Sequence, residues 1–276
     1  MSTDRYAVMG NPIGHSKSPQ IHSQFAHQTR QAISYEAILV GLEEFDAAVD
    51  RFQQAGGKGL NITVPFKREA WELVSERSDR AELAGAVNTL LLREDGRRYA
   101  DNTDGVGLVR DLTVNHKIAL RDKRILMLGA GGAVRGVLAP LLEQAPAHLL
   151  IANRTDTKAV ELARLFVGLG AVSGCGFDDL GGEQFDLVIN ATSASLEGQV
   201  PPLPDDILAA GGSCYDLMYS DVATPFQRWA QARGAAQAID GLGMLVEQAA
   251  ESFLLWRGVR PETQPVIARL RTQMAL

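Results

Sequence analysis

The chain has 276 residues, which is long for one ordinary domain and sufficient for two compact ones. Its net charge of -6, from 33 acidic and 27 basic residues, excludes nucleic acid as the main partner, because phosphate binding needs a basic surface. No run approaches the ~20 apolar residues of a transmembrane helix. The segment Met1–Met9 also lacks the apolar core of a signal peptide, so we expect a cytoplasmic protein with no membrane partner.

The cysteines and histidines do not suggest a metal site. Cys175 and Cys214 are the only two cysteines, neither has metal-ligand spacing around it, and the five histidines are scattered. A disulfide between the cysteines is one interpretation. Two buried free thiols in a reducing compartment are the favoured one.

Strands and helices alternate in the first half of the chain, which predicts a parallel α/β architecture. The apolar patterns predict strands at Tyr6–Gly10, Ile33–Val40 and Gly59–Val64, and helices from Pro19 to about Gln28 and over Leu42–Ala55. The turn Glu94-Asp95-Gly96 between Ala86–Arg93 and Arg97–Asn102 predicts a β-hairpin. A helix from Asp104 to about Asn115 follows.

The alternation continues in the second half. We predict strands at Arg124–Leu128, His148–Asn153, Phe185–Asn190, Ser213–Leu217 and Ala236–Ile239, with a helix to Gln144 after the first strand and another after the second. Helices over Met244–Trp256 and from Pro261 toward Leu276 complete the chain. The predicted architecture is α/β with two domains. Residues 1–103 and 242–276 form an N-terminal α/β domain, and residues 104–241 form a Rossmann-type doubly wound parallel sheet.

A glycine-rich turn follows the apolar strand Arg124–Leu128. Gly129, Gly131 and Gly132 stand between this strand and a helix, where backbone N–H groups and the helix N-terminus attract an anion. Val134 occupies the third glycine position of the G-x-G-x-x-G pattern. The turn by itself is therefore a weak indication of a nucleotide site, and a plain tight turn is the alternative.

The end of the next strand carries cations instead of a carboxylate. NAD-binding proteins usually place Asp or Glu there to bind the ribose 2′-hydroxyl. This chain has Asn153, Arg154 and Thr155, followed one helical turn later by Lys158. Two cations and a hydroxyl suit a 2′-phosphate, and Arg154 can also stack on adenine. The pattern favours NADP over NAD, and a solvated helix start is the alternative.

Polar residues occur in the first half at positions that a structural role explains poorly. They are Ser16 and Ser18 in the loop after the first strand, Lys67 after the buried strand Gly59–Val64, Asn88 within an apolar run, and Asp101–Gly105 at the predicted domain junction. Each alone also fits a cap or turn position, and Asp104 in particular fits a helix N-cap.

Taken together, these segments resemble the shikimate dehydrogenase family. The matching motifs are Gly10–Pro19, Asn61–Lys67, Gly85–Thr89, Asp101–Gly105, Gly129–Ala133, Asn153–Thr155, Asn190–Ser193 and Asp240–Met244. They follow the order of the family over nearly the whole chain, with Val134 as a departure from the small polar residue that is common there. The resemblance implies NADPH-dependent reduction of 3-dehydroshikimate to shikimate, in the pathway to aromatic amino acids.

The resemblance also implies roles for particular residues. Ser16 and Ser18 would bind the substrate carboxylate with help from Tyr219, while Thr63, Asn88, Asp104 and Gln248 would bind the ring hydroxyls. Lys67 is similar in position to the catalytic lysine of the family, paired with Asp104. The residues implied for NADP are Asp79, Gly129, Ala130, Gly131, Gly132, Ala133, Asn153, Arg154, Thr155, Lys158, Leu217 and Gly241.

These residue types suit the reduction of a ketone. The cofactor supplies the hydride, and a lysine ammonium beside a carboxylate supplies a proton and a positive field. Proton transfer by a water, with Lys67 only stabilising the charge, is the alternative. The alternatives are a broader quinate/shikimate dehydrogenase, a paralogue acting on a related ring acid, and a non-enzymatic NADP-binding sensor. A methylenetetrahydrofolate dehydrogenase-like enzyme shares the architecture, but the Ser16/Ser18 loop does not suit its substrate. We expect a monomer or a homodimer.

Overall fold

The computed structural model describes residues 3–274, so Met1, Ser2, Ala275 and Leu276 lie outside the described part of the chain. The elements up to residue 110 are β1 Asp4–Gly10, α1 Ser18–Thr29, β2 Ile33–Leu39, α2 Phe45–Gln54, β3 Gly57–Ile62, α3 Lys67–Leu73, β4 Glu76–Arg77, α4 Asp79–Ala84, β5 Thr89–Leu92, β6 Arg98–Asp101 and α5 Asp104–Arg110. The later elements are β7 Arg124–Leu128, α6 Gly132–Leu142, β8 His148–Asn153, α7 Asp156–Phe166, β9 Val172–Gly176, β10 Phe185–Asn190, β11 Leu208–Asp216, α8 Pro225–Ala232, β12 Ala238–Ile239, α9 Leu242–Arg257 and α10 Gln264–Met274.

Contacts within the chain define two compact units. The first runs to Gly107 and includes Val246–Ile267, and the second contains Leu108–Leu245 and the residues from Ala268 onward. The predicted domain boundaries, residues 1–103 with 242–276 and residues 104–241, stay predictions. Within the second unit, Arg271 of α10 donates two hydrogen bonds to Asp240.

The sheet of the first unit has the order β2-β1-β3-β5-β6-β4. β1 runs parallel to β2 and β3, whereas β5 runs antiparallel to both β3 and β6. The predicted hairpin is therefore confirmed, and it turns a parallel sheet into a mixed one. Phe45, Leu60, Ile62, Phe66 and Leu90 are fully buried in the core on this sheet.

The sheet of the second unit is entirely parallel, in the order β12-β11-β10-β7-β8-β9. From β7 the chain winds first toward β9 and then returns through β10 toward β12, which is the order of a Rossmann-type doubly wound sheet. The predicted fold class is confirmed. The direction of winding reverses between β7 and β10, and ligands of such sheets bind outside the carboxyl ends of the strands at this reversal.

Several predicted bounds were wrong for local reasons. The second helix begins at Phe45 rather than Leu42, because the Glu44 amide closes a turn onto Gly41 and leaves Leu42 65% exposed. The last helix begins at Gln264 rather than Pro261, since the Thr263 carbonyl accepts its first amides. The helix from Asp104 changes after Arg110 into a π-helical turn, Asp111–Asn115. Sequence patterns also missed α3, α4, β4, β9 and α8.

Both cysteines are free thiols, as the favoured interpretation predicted, but only Cys214 is buried. Cys214 is buried in β11, and burial raises the pKa of its thiol to about 12. Cys175 is half-buried at the end of β9, where burial and the nearby carboxylate of Asp179 raise the pKa of the thiol. Neither thiol is therefore activated as a nucleophile. Within residues 3–274, no helix combines the length and apolar character needed to cross a membrane.

Candidate active site

Two serines lie in the turn that joins β1 to α1. The Ser16 amide donates to the Ile13 carbonyl at 3.0 Å, and the Ser18 amide donates to Ser16 Oγ at 3.3 Å. Ser18 begins α1 and is nearly buried beside Tyr35. Burial raises the pKa of Tyr35 well above its ordinary value, and a hydrogen bond with Ser18 opposes that rise. The turn therefore presents both serines at the carboxyl end of β1.

Lys67 lies at the carboxyl end of the neighbouring strand. β3 ends at Ile62, and the Thr63 amide still pairs with Met9 of β1 at 3.0 Å. The buried Phe66 then folds back, its amide donating to the Thr63 carbonyl, and α3 begins at Lys67. Parallel strands end at the same edge of a sheet, so this turn brings Lys67 to the edge that carries the serines.

Lys67, Asp104 and Asn88 form one polar cluster. Lys67 Nζ lies 2.5 Å from Asp104 Oδ2, and Asn88 Nδ2 donates to Asp104 Oδ1 at 2.8 Å. The Lys67 side chain is 29% exposed and that of Asp104 is 14% exposed, so the pair remains accessible to a small ligand. The carboxylate is oriented from two sides, by a cation on one oxygen and an amide on the other.

Gln248 of α9 joins this cluster through Asn88 and Thr103. Its Oε1 accepts from Asn88 Nδ2 and from Thr103 Oγ1, each at 3.3 Å. The close approach depends on Gly107, because a Cβ there would lie 2.7 Å from the Cβ and from the backbone nitrogen of Gln248. The structure thus brings together Lys67, Asn88, Asp104 and Gln248, which lie far apart in the sequence.

Two buried polar residues of this cluster had no predicted role. Thr103 is fully buried, and its amide donates to Asn88 Oδ1 at 2.9 Å. Asn61 on β3 accepts from the Tyr35 hydroxyl at 2.7 Å and donates to Ser252 Oγ at 3.0 Å. Asn61 carries the same sequence signal as Asn88, a polar residue inside an apolar run.

In the second unit, the glycine-rich turn lies where the winding of the sheet reverses. Gly129 has φ +105°, and a Cβ there would lie 3.3 Å from the Ala191 carbonyl oxygen, at the end of the neighbouring β10. The exposed Gly131 and Gly132 lead into α6, whose first turn has no side-chain cap among the described residues. Val134 is fully buried, so it packs into the core and not toward the turn. Ala130 and Ala133 lie within the same accessible turn.

The predicted cations follow β8. Asn153 Nδ2 donates to the Thr155 carbonyl at 2.9 Å, which bends the chain into α7. Arg154, Thr155 and Lys158 are exposed. In the described part of the chain, neither cation is ion-paired with a carboxylate, and the Asp156 side chain bonds the amide of Thr157 instead. Both cations are thus available to a phosphate.

Leu217 and Gly241 lie against each other after β11. The Leu217 amide donates to Asn190 at 2.8 Å, and a Cβ on Gly241 would lie 2.2 Å from the Leu217 carbonyl oxygen. Tyr219 follows in the same loop, where burial and then the Asp240 charge raise the pKa of its hydroxyl. Asp79 is exposed at the start of α4 in the first unit. The roles assigned to Tyr219 and Asp79 stay predictions.

The fold and these clusters define a two-unit α/β protein with a dinucleotide-binding type of sheet in its second unit. Three family models match it in order: the shikimate dehydrogenase substrate binding domain over residues 8–90, shikimate / quinate 5-dehydrogenase over 112–199, and the shikimate 5′-dehydrogenase C-terminal domain over 241–271. A shikimate dehydrogenase (NADP(+)) of Alkalilimnicola ehrlichii is 65% identical over 98% of this chain and 100% of its own length.

Solved structures agree with this match. A crystal structure of an Ael1 enzyme from Pseudomonas putida is 49% identical with a TM-score of 0.92, covering 97% of this chain and 98% of its own. The shikimate 5-dehydrogenase of Thermus thermophilus, in complex with NADP(H) and shikimate, is 34% identical with a TM-score of 0.86, covering 98% and 99%. The chain belongs to the shikimate dehydrogenase family, which confirms the resemblance drawn from the motifs.

Proposed function

We propose that this protein catalyses the NADPH-dependent reduction of 3-dehydroshikimate to shikimate, in aromatic amino acid biosynthesis. The observation that carries the proposal is the Lys67–Asp104–Asn88 cluster at the carboxyl edge of the first sheet. The cluster combines the Lys67 ammonium, which can act as an acid, with the Asp104 carboxylate and the Asn88 amide. A relative that is 65% identical to this chain is named shikimate dehydrogenase (NADP(+)). We place the reaction in the cytoplasm, and the choice between monomer and homodimer stays a prediction.

The first unit supplies the groups that a polyhydroxylated ring acid requires. Ser16 and Ser18 are proposed to bind the carboxylate, because their turn offers two hydroxyls beside the Lys67 edge. Asn88, Asp104 and Gln248 are proposed to bind ring hydroxyls, with Thr63 at the end of β3. The side chains of Asn88 and Gln248 can both donate and accept hydrogen bonds, and the Asp104 carboxylate accepts them. Together they can therefore meet the hydrogen-bonding needs of ring hydroxyls, which also donate and accept.

Lys67 and Asp104 are proposed to carry out the acid–base step. NADPH supplies the hydride that reaches the carbonyl carbon. Lys67 then donates a proton from Nζ to the developing alkoxide, and in the reverse direction it accepts the proton of the hydroxyl. Asp104 orients Nζ and binds the reacting hydroxyl, while Asn88 keeps the carboxylate in place.

The second unit fits NADP. Gly129 makes the tight turn, with its own amide donating to the Ala152 carbonyl at 2.8 Å. The amides of the exposed residues 131–133 that follow would bind the pyrophosphate, as helix N-termini after such turns do. Arg154, Thr155 and Lys158 would bind the 2′-phosphate beside Asn153, and the exposed guanidinium is free to stack on adenine. Leu217 and Gly241 are proposed to lie near the nicotinamide, and Asp79 near the cofactor.

The test compares NADPH or NADH formation by the purified protein with shikimate and with quinate, each with NADP and NAD. We expect strong preference for shikimate, and at least ~10-fold higher kcat/KM with NADP, roughly 1.4 kcal/mol. Comparable kcat/KM on quinate would replace the proposal by the broader quinate/shikimate activity, which the name of one matching family model includes. Absence of turnover with either acid would contradict both.

A further inference from the structure

An ion pair lies directly behind the Asp104 segment. Asp101, the last residue of β6, has a side chain only 4% exposed. Arg80 donates to it with both arms, from Nε at 2.7 Å and from Nη2 at 2.5 Å. Ser78 Oγ donates to the same carboxylate at 2.5 Å, and the Asn102 amide at 2.7 Å. These contacts fix the end of the strand immediately before the residues of the polar cluster.

The same arginine reaches helix α9. Arg80 Nη2 lies 3.3 Å from Glu251 Oε1, one helical turn after Gln248. Glu251 also accepts from Arg260 at 2.6 Å, and Arg260 lies 3.2 Å from the fully buried Glu247. Two acidic residues of the helix that carries Gln248 are therefore paired with arginines from other segments of the chain.

The acidic neighbours of Arg80 keep its guanidinium charged. Burial opposes the charge on Arg80, but the hydrogen bonds and charges of Asp101 and Glu251 outweigh it and raise the pKa of the guanidinium. A lysine cannot reproduce this geometry, because one ammonium cannot make two parallel bonds to Asp101 and also reach Glu251.

We infer that Arg80 is a positioning residue of the active site. Its guanidinium holds the segment that carries Thr103 and Asp104 against the helix that carries Gln248, and so sets the spacing of the groups that bind the ring hydroxyls. The link to Asn88 is direct as well, because the Asn88 amide donates to the Asp101 carbonyl at 3.1 Å. The identity of the ligand rests on the proposed function, whereas the positioning itself does not.

The experiment compares Arg80→Lys with Arg257→Lys. Arg257 is a matched control, since it lies on α9, has a 19% exposed side chain against 24% for Arg80, and pairs with Asp4 far from the cluster. In Arg80→Lys, the KM for shikimate should rise ~10-fold or more, because small displacements of binding groups are costly. The KM for NADP should stay within about twofold. Arg257→Lys should leave both constants unchanged.

A second readout does not require activity. Hydrogen exchange at the amides of Asn88, Thr103 and Asp104 should be faster in Arg80→Lys and unchanged in Arg257→Lys. An unchanged KM, unchanged exchange, or equal effects of the two variants would overturn the inference. If the wild-type protein does not oxidise shikimate, the proposed function fails and the exchange comparison alone decides the inference.

A gentler variant covers the case in which Arg80→Lys does not fold. Glu251→Gln removes the charge that Arg80 meets on α9 and keeps the Arg80–Asp101 pair. We expect a smaller rise in the KM for shikimate, about threefold, with faster exchange at Asp104. A folded Glu251→Gln protein with wild-type KM and exchange would overturn the role assigned to Arg80.

Discussion

Replacing Lys67 by alanine removes the proposed proton donor and leaves its partner oriented. Lys67 Nζ lies 2.5 Å from Asp104 Oδ2, whereas Asp104 Oδ1 keeps its own hydrogen bond from Asn88 at 2.8 Å. A positioned acid contributes ~10²–10⁴-fold to rate, and loss of the positive field adds to this. We expect turnover to fall by ~10³ or more, which corresponds to about 4 kcal/mol in the barrier.

Fold and affinity should change much less in the same variant. The Lys67 side chain is 29% exposed, so water screens the ion pair and its contribution to stability is about 1 kcal/mol or less. The KM for shikimate should stay within ~5-fold, because Ser16, Ser18 and Asn88 keep their positions. Asp104→Asn should damage both turnover and affinity, since it removes the negative charge that holds Lys67 and replaces one of the two acceptor oxygens by an NH2 donor.

The assay is the initial rate of NADPH formation from shikimate for each variant and for the double variant. If the two residues act as one unit, the double variant should be little slower than Lys67→Ala. Fully multiplicative losses would show that they act independently. Near-normal turnover of Lys67→Ala would refute the assignment of the proton donor.

Three further predictions concern other parts of the chain. Arg154→Ala should raise the KM for NADP far more than for NAD, and equal effects on both would place recognition of the 2′-phosphate elsewhere. Gly107→Ala would place a Cβ 2.7 Å from the Gln248 backbone nitrogen, so Gln248 must shift. Chemical denaturation should show that the free energy of unfolding falls by about 1–3 kcal/mol, and the KM for shikimate should rise. Burial lowers the pKa of His22 to about 3, so the unfolded chain binds an extra proton below pH ~6.5 and stability falls as the pH drops from there. Between pH 7 and pH 5, the free energy of unfolding of His22→Phe should therefore fall by about 2 kcal/mol less than that of the wild-type protein.

Local chemistry explains what the sequence predicted well. The apolar run Arg124–Leu128 followed by Gly129 predicts a buried strand and a tight turn, because only glycine adopts the positive φ of Gly129 without strain. The Asp95-Gly96 pair likewise predicts the hairpin from turn geometry alone. Asn153, in place of a carboxylate at the end of β8, indicated NADP as the cofactor. Each signal lies within a few residues, so no tertiary contact was needed to read it.

The bounds of elements depended on contacts that the patterns do not contain. Residues 67–84 form two short helices and an edge strand, and short elements carry little periodicity. Leu42 fitted the apolar face of a helix, yet the turn onto Gly41 leaves it exposed. These differences come from local hydrogen bonds that compete with a hydrophobic pattern.

The sequence alone determined the α/β class with its Rossmann-type sheet and the family to which the chain belongs, although it did not reveal the strands β4 and β9. The family resemblance groups the polar residues of the candidate site, but only the tertiary structure decided through which contacts they meet. Asn88 and Gln248 are 160 positions apart, and they meet because Gly107 lets two helices approach closely. The sequence also gives no sign that Arg80 pairs with Asp101. The two side chains form an ion pair because the fold brings them together and leaves that of Asp101 only 4% exposed. Charge type can be read from a sequence, but the distance and the exclusion of water that give a charge its effect exist only in the folded chain.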